Sequence, residues 1–367
     1  MPTHGYIQNV VSGVYPCRSR HAFLISVCEN TAFAGYSIII DKESGRCFVN
    51  FVVCLQDESK GMETGVVIKS TGSWYLVRKE DGKQVECRMR GKLRLKGTRT
   101  TNPVAVGDYV DMEYDHEEYV ITHIHERRNY IIRKSTNLSK EAHIIATNVD
   151  QALLIATVNH PQTPTIFIDR FLVTAEAYNI PAAIIFNKTD LYDETDSAQM
   201  QELISIYTAI GYPCHAVSAE QPESLLPFKA LLANKTTVLS GMSGVGKSTL
   251  INRIEPSLNL KVSAISDCHD TGKHTTTFAE MFALGESSYI IDTPGLRSFG
   301  IIDIAKEEIS HFFPELFNVS EHCRFYNCTH THEPGCAVIE AVQNGSISES
   351  RYWSYLSMME ENGEKYR

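Results

Sequence analysis

The sequence contains no apolar stretch long enough to cross a membrane and no leader of the secretory type. Its most apolar segment, residues 21–40, is interrupted by Glu29 and Asn30, whereas a membrane-spanning helix needs about 20 consecutive apolar residues. The chain does not open with a basic start, an apolar core and a small-residue cleavage site. We therefore expect a cytoplasmic protein without a membrane partner.

The chain also lacks an excess of positive charge. Its formal net charge is −10, so we do not expect it to bind polyanions over its whole surface, and any contact with nucleic acid needs a local basic patch. Without a secretory leader, its 10 cysteines are expected to be reduced thiols rather than disulfides. The length of 367 residues gives room for two or three domains.

A phosphate-binding loop is predicted from TTVLSGMSGVGKSTLINRI, residues 236–254. Its central part fits G-x-x-x-x-G-K-[ST] at every fixed position and lies between an apolar strand pattern and an amphipathic helix pattern. Small residues let backbone N–H groups surround phosphate oxygens, and a helix N-terminus favours anions. We predict that Lys247 binds the β- and γ-phosphates and acts in catalysis, and that Ser248 binds Mg²⁺. The predicted nucleotide-binding residues of this segment are Gly241, Ser243, Gly244, Val245, Gly246, Lys247, Ser248 and Thr249.

A guanine-reading turn is predicted from IIFNKTD, in which an apolar strand is followed by Asn187, Lys188 and Asp190. A carboxylate accepts hydrogen bonds from N1–H and the N2 amino group of guanine, whereas adenine has the opposite donor pattern and leaves the carboxylate unpaired. Ser218 and Ala219 follow another apolar strand, and their backbone N–H groups are predicted to bind guanine O6. The predicted ligands are therefore GTP and GDP.

Two further residues complete the predicted nucleotide site, in the segment YIIDTPG. Asp292 is predicted to hold Mg²⁺ through water, and the Gly295 N–H to contact the γ-phosphate. The order of the motifs is unusual, because the base-reading turn precedes the phosphate loop. A circular permutation explains this order, since every motif then follows the carboxyl end of a strand, where an open α/β sheet binds its ligand.

A zinc site is predicted from CRFYNCTHTHEPGC, which has the spacing C-x4-C-x-H-x5-C. The three thiols and the imidazole lie within 14 residues and form the ligand set of a closed tetrahedral Zn²⁺ site. Because the C-terminal segment is short, the metal is expected to compensate for a small core. The predicted ligands are Cys323, Cys328, His330 and Cys336.

These motifs in their permuted order, with GKHTTT at residues 272–277, resemble the ribosome small-subunit-dependent GTPase A family over about residues 62–367. The resemblance implies an α/β protein in which a circularly permuted P-loop GTPase domain is flanked by an OB-fold β-barrel and a mostly helical zinc-binding domain. It also implies that the partner is the small (30S) ribosomal subunit with its rRNA, during late maturation, and that this particle stimulates turnover.

Four segments are predicted from these patterns. Residues 1–61 carry no motif and are predicted to be a non-native or disordered leader, with an extra domain as the alternative; the other segments are the OB-fold RNA-binding domain (62–128), the GTPase domain (129–300) and the zinc-binding domain (301–367). Within the barrel segment, five basic residues alternate along one strand and are predicted to follow a phosphate backbone, although a solvated outer face is the common alternative. They are Arg88, Arg90, Lys92, Arg94 and Lys96.

The polar stretch at residues 263–277 is predicted to be a switch loop. One hydroxyl among Thr275, Thr276 and Thr277 is expected to bind Mg²⁺, and Thr276 is the preferred candidate. Leu296 stands where many GTPases carry a glutamine that orients water, so His274 is the candidate catalytic residue for that task.

We predict a monomeric GTPase that hydrolyses GTP to GDP and phosphate. Two alternatives remain open from the sequence: a P-loop kinase acting on a small molecule, and an RNA-binding scaffold in which nucleotide is a structural ligand. Because the zinc-binding segment follows the DTPG strand, the sequence also suggests that hydrolysis moves the zinc-binding domain.

Overall fold

The structure is a computed structural model that describes the backbone of residues 11–16, 22–29, 32–40, 47–54, 62–89, 103–134, 142–260, 280–285, 287–292 and 304–360. Side chains are described for residues 62–89, 103–132, 144–260, 280–285, 287–291 and 304–360. The chain divides into two compact units, Met1–Met62 and Glu63–Arg367.

The first unit contains four strands, which pair antiparallel with their neighbours in chain order. These strands contain many Val, Ile and Phe residues, which favour extended backbone. They are β1 (Val11–Pro16), β2 (Ala22–Glu29), β3 (Ala32–Ile40) and β4 (Cys47–Cys54). The segment predicted to be a non-native or disordered leader therefore contains these four paired strands. That the segment is not native to the protein stays a prediction.

The second unit begins with a five-stranded barrel in the order β5-β6-β7-β9-β8, closed by pairing of β8 with β5. Alternate side chains of each strand face inward, and the buried core includes Val67, Val77, Val110 and Ile121. The strands are β5 (Glu63–Ser70), β6 (Tyr75–Lys79), β7 (Gln84–Met89), β8 (Tyr109–Asp115) and β9 (Glu118–Ile124). The predicted N-terminal barrel is confirmed.

A large sheet follows the barrel, with the order β14-β13-β12-β15-β17-β16. Its neighbours run parallel except β16, which is antiparallel to β17. All residues of β12 are buried, as expected for a central strand covered on both faces. The strands are β12 (Gln151–Ala156), β13 (Ala182–Phe186), β14 (Cys214–Ala216), β15 (Thr236–Ser240), β16 (Glu280–Ala283) and β17 (Tyr289–Asp292).

Helices cover both faces of this sheet. One face packs against α1 and α2 through residues such as Phe171 and Leu203, and the other against α3 and α4 through Phe228 and Leu250. The bounds are α1 (Thr165–Ala177), α2 (Glu194–Ile210), α3 (Leu225–Leu232) and α4 (Lys247–Ile254), with 3-10 turns at Thr189–Leu191, Pro222–Ser224 and Pro256–Leu258. This alternation of strands and helices agrees with the predicted α/β domain.

Two additional strands lie between the barrel and the large sheet. β10 (Tyr130–Lys134) and β11 (Ala142–Thr147) pair antiparallel with each other. The sequence does not predict this pair of strands clearly, because the apolar runs YII and HIIA are too short to give a clear period. Their apolar residues Ile131 and Ala146 nevertheless join the core beneath α1.

The C-terminal part is helical and packs against α1. Its core contains Phe313, Leu316 and Tyr355, together with Val173 from α1. It consists of a 3-10 segment (Lys306–Phe312), α5 (Pro314–Ser320), α6 (Ala337–Gln343) and α7 (Glu349–Glu360). The C-terminal segment is thus attached to the large sheet through α1, a helix that lies far from it in sequence.

The barrel and the large sheet form one continuous sheet. Glu280 of β16 pairs with Lys69 of β5, and the Lys69 ammonium lies 3.1 Å from the Glu280 carboxylate. Nearby, the Arg78 guanidinium lies 5.4 Å from the centroid of the Tyr289 ring. The edge strand of the large sheet is therefore covered by the barrel.

Candidate nucleotide site and metal centre

The predicted phosphate loop connects β15 to α4. Gly241 has φ 146° and Gly246 has φ 94°, and a Cβ at either position would overlap Ile155 O or Asn187 Nδ2 respectively. Glycine avoids both the strain of a positive φ and the overlap of a Cβ, so the backbone of the loop can approach a phosphate closely. The Lys247 ammonium donates to Gly241 O and Met242 O, each at 2.7 Å, which holds it at the mouth of the loop.

The predicted guanine-reading turn lies directly against the phosphate loop. Asn187 Nδ2 donates to Val245 O at 2.8 Å, and this residue is only 1% exposed. Its Oδ1 is buried and has no hydrogen-bond partner among the described residues. An unsatisfied buried acceptor is costly unless a ligand pairs with it, so the two predicted motifs form one site that fits a nucleotide.

Asp190 is exposed and lies in the turn that follows Asn187, where Ser218 Oγ donates to its Oδ1. The sequence analysis assigned the Ser218 backbone N–H to guanine O6, but this N–H donates to Ser224 Oγ at 2.9 Å. Ala219 is the next residue, so its N–H is the better candidate for O6. The Ser218 side chain thus contacts the Asp190 carboxylate, and the contact of the Ser218 N–H with guanine stays a prediction.

Several predicted residues cannot be placed by this geometry. His274, Thr275, Thr276, Thr277 and Gly295 lie outside the described residues, as do Arg90, Lys92, Arg94 and Lys96 of the basic stripe. Asp292 ends β17, so its backbone lies at the same sheet edge as the phosphate loop, but its side chain is not described. Their roles stay predictions.

Arg88 is the one member of the basic stripe whose side chain is described. Its guanidinium lies 4.0 Å from the centroid of the Trp74 ring and 3.4 Å from the Glu118 carboxylate. Its neighbours Cys87 and Met89 face the barrel core, which agrees with the alternation expected of a strand. Arg88 therefore projects outward beside an aromatic ring, with part of its charge balanced by Glu118.

The four predicted zinc ligands converge in the C-terminal part, where their ligand atoms all lie within 4.8 Å of one another. Cys336 Sγ lies 3.9 Å from Cys323 Sγ and 3.5 Å from His330 Nδ1. Tetrahedral Zn²⁺ with Zn–S of about 2.3 Å and Zn–N of about 2.0 Å requires separations of about 3.8 and 3.5 Å. The group therefore has the dimensions of a zinc site.

Hydrogen bonds hold the ligand loop in this shape. The Glu333 carboxylate accepts from the backbone N–H groups of Thr329 at 2.8 Å and Thr331 at 3.0 Å, and Tyr352 OH donates to His330 O at 2.7 Å. Burial raises the pKa of the Cys328 thiol to about 12. A bound cation is needed to hold this group as a thiolate, which is the chemistry that a metal would supply.

Comparison with known proteins agrees with the nucleotide site. A family model described as RsgA GTPase matches residues 124–302, and one described as RsgA N-terminal domain matches residues 64–120. The chain is 57% identical over 305 residues to the small ribosomal subunit biogenesis GTPase RsgA of Phocaeicola vulgatus, with 83% of this chain and 98% of the relative covered. The chain belongs to the RsgA GTPase family. The resemblance predicted from the motifs is confirmed, and the family decides for a GTPase over a small-molecule kinase.

Solved structures support the permuted fold of this RsgA-family GTPase. YjeQ from Thermotoga maritima superposes with a TM-score of 0.67 at 36% identity, covering 81% of this chain and 97% of that one. YloQ, described as a circularly permuted GTPase, gives 0.64 at 31% identity, covering 83% and 96%. The predicted circular permutation is confirmed.

Sequence reasoning missed the loop that follows β12. Thr157 Oγ1 donates to Pro161 O, and Lys188 Nζ donates to His160 O, so the loop packs beside the guanine-reading turn. A Cβ on Gly244 would lie 3.3 Å from Pro161 Cδ, which places the same loop against the phosphate loop. The sequence signal that could have found this loop is its position directly after the apolar strand β12, at the sheet edge where the phosphate loop and the guanine-reading turn also lie.

Proposed function

We propose that this RsgA-family GTPase hydrolyses GTP during biogenesis of the small ribosomal subunit. The observation that carries the GTPase part is the 2.8 Å hydrogen bond between Asn187 Nδ2 and Val245 O, because it joins base selection and phosphate binding in one site. The assignment to the small subunit is supported by the names of the relatives that the chain matches over 83% of its length.

The roles of the described residues follow from their chemistry. The N–H groups of the phosphate loop and the Lys247 ammonium bind the β- and γ-phosphates and offset the charge that develops during transfer. Asp190, oriented by Ser218, selects guanine. Ser248 would be the protein ligand of Mg²⁺, which supplies charge neutralisation between the β- and γ-phosphates when it is bound.

Four more residues complete the proposal: three lie outside the described ranges, and the fourth, Asp292, has a described backbone but no described side chain. Thr276 and Asp292 would hold Mg²⁺, directly and through water, and the Gly295 N–H would contact the γ-phosphate. His274 would orient the attacking water, because Leu296 has no polar group for that task. These assignments are supported by their positions in the sequence: His274 and Thr276 precede β16, Asp292 ends β17 and Gly295 follows it.

We also propose that the barrel contacts rRNA, supported by the outward Arg88 beside Trp74, and that the C-terminal part carries one structural Zn²⁺. No helix in the described part of the chain is long and apolar enough to span a membrane. We propose a monomer that acts in the cytoplasm, where ribosomal subunits are assembled.

Turnover of GTP with and without purified small subunits tests this function. We expect slow turnover alone and at least about 10-fold faster turnover with the subunits, since partners of GTPases act on the rate of hydrolysis. Lys247→Ala should abolish both rates, whereas Lys229→Ala, an exposed lysine on α3, should change neither. Equal rates with and without subunits would contradict the proposed partner, and an active Lys247→Ala variant would contradict the proposed site.

Removal of the metal should loosen the C-terminal part. We expect about one zinc ion per chain, and Cys328→Ser should lose it and become sensitive to protease in residues 304–360, since the metal holds a segment with little core of its own. Zinc content by atomic spectroscopy and limited proteolysis measure both effects. Cys214→Ser, which changes a cysteine outside the cluster, is the control. Full zinc content in Cys328→Ser would contradict the site.

A further inference from the structure

The two central strands of the nucleotide site separate at their carboxyl ends. β12 and β13 are parallel and in register up to Ala156 and Phe186, and the Asn187 N–H donates to Ala156 O at 2.8 Å. In a regular parallel ladder, the next hydrogen bond would run from the Val158 N–H to Asn187 O. This bond is replaced by a side chain.

The Tyr192 hydroxyl occupies the position between the two strands. It accepts from the Val158 N–H at 2.9 Å and donates to Asn187 O at 2.7 Å. Both backbone groups therefore remain satisfied although the strands are too far apart to bond directly. The separation of β12 from the guanine-reading turn is fixed by one phenolic oxygen.

The position of Tyr192 is itself well defined. It follows the short 3-10 turn at Thr189–Leu191. This turn is attached to the segment that directly follows β14, because Thr189 Oγ1 donates to Val217 O at 3.1 Å. Its ring packs against the core beneath α1 and α2. Burial raises the pKa of Tyr192, so the phenol keeps the proton that it donates to Asn187 O.

The residues of the guanine-reading turn all lie beyond this separation. Asn187 turns toward the phosphate loop, and Lys188 takes a left-handed conformation with φ 64° and donates to His160 O on the opposite loop. Asp190 follows within the same turn. If the strands closed to form the missing ladder bond, Asn187 O would move toward Val158 by about the width of a hydroxyl group, and Asp190 would move with it.

We propose that Tyr192 is a positioning residue for guanine recognition, whose hydroxyl holds the Asn187–Asp190 turn at the separation from β12 that the base requires. The inference rests on the proposed function, because it assumes that this turn reads guanine. Tyr192 itself contacts neither the base nor the phosphates; it acts through Asn187 and Val158.

The test compares two tyrosine-to-phenylalanine variants in the full chain. Tyr192→Phe removes the bridging hydroxyl and keeps the ring. Tyr212→Phe is the matched control, because its hydroxyl donates to Glu176 at 3.0 Å and it lies before β14, at the sheet edge opposite the nucleotide loops. The measured quantity is the ratio of affinities for GDP and IDP, obtained by competition with a fluorescent GDP, and kcat at saturating GTP is measured alongside.

IDP lacks the N2 amino group that Asp190 is proposed to bind, so the GDP-to-IDP ratio reports the position of that carboxylate. We expect Tyr192→Phe to lower the ratio by about 10-fold, the effect of losing roughly one well-placed hydrogen bond. The ratio should stay within about 2-fold of the unmodified value in Tyr212→Phe, where no bond near the base changes.

The outcomes separate the inference from the function on which it rests. If the unmodified protein shows no preference for GDP over IDP, the proposed guanine reading by Asp190 fails before any variant is considered. If the preference is present and Tyr192→Phe retains it, the positioning role is overturned. A Tyr192→Phe variant that weakens GDP and IDP in equal proportion would overturn it too, since the hydroxyl would then support only general stability.

Discussion

Replacement of Asp190 by asparagine is expected to lower kcat/KM for GTP by about 10³-fold. The carboxylate is proposed to accept from N1–H and the N2 amino group of guanine, and each charge-assisted hydrogen bond contributes about 1.5–3 kcal/mol. The asparagine amide would place a donor against one of these donors. The same variant should hydrolyse xanthosine triphosphate, because xanthine carries a carbonyl at C2 that accepts from the new amide.

Steady-state kinetics with GTP and XTP measure this exchange of specificity. Glu202→Gln makes the same carboxylate-to-amide change at an exposed position on α2 and should leave both activities unchanged. A variant that loses GTP activity without gaining XTP activity must be checked for folding by its thermal transition. A folded Asp190→Asn protein that still prefers GTP would show that another residue reads the base.

Replacement of Arg351 by methionine is expected to destabilise the attachment of the C-terminal part by about 3–5 kcal/mol, the usual cost of removing one partner from a buried ion pair. Arg351 is fully buried, and its guanidinium donates to Asp169 of α1 at 2.7 Å and to Glu315 of α5 at 2.7 Å. Tyr207 OH donates to Asp169 at 2.8 Å. Burial opposes the charge on Arg351, but the two carboxylates raise its pKa, so it stays charged.

The rate of amide hydrogen exchange in α7 and the urea midpoint of unfolding measure this loss of stability. A combined Arg351→Met, Asp169→Leu and Glu315→Leu variant should recover much of the stability, because well-packed apolar residues often replace a buried ion cluster without a net cost. Unchanged exchange of α7 in Arg351→Met would mean that the apolar contacts of Phe313 and Tyr355 alone hold the attachment.

The buried network also shows what the sequence does not reveal. Asp169 and Arg351 are 182 positions apart, and neither belongs to a local pattern that names its partner. Asp169 is a lone carboxylate within the apolar stretch TIFIDRFLV of α1, which signals a buried charge without locating the cation. The movement of the zinc-binding domain on hydrolysis stays a prediction. A movement that separates this domain from α1 would have to break the ion pair between Arg351 and Asp169.

The phosphate loop and the metal cluster, by contrast, follow from local sequence. The constraints on Gly241, Gly246 and Lys247 are imposed within a few residues, so the motif fixes their geometry. Cys323 and Cys336 are likewise close in the chain. The role of Tyr192 could not be predicted from the sequence. It depends on the distance between β12 and β13 at their carboxyl ends, and the spacing of residues along the chain does not determine that distance.

The pairing of β5 with β16 bears on how the protein can be divided. The barrel supplies the neighbour that hides the open side of the catalytic sheet through Lys69 and Glu280. A shortened chain that began after the barrel would present unpaired backbone N–H and C=O groups of β16 to solvent, and such a strand recruits other chains. We therefore expect the barrel also to limit self-association of the protein through β16.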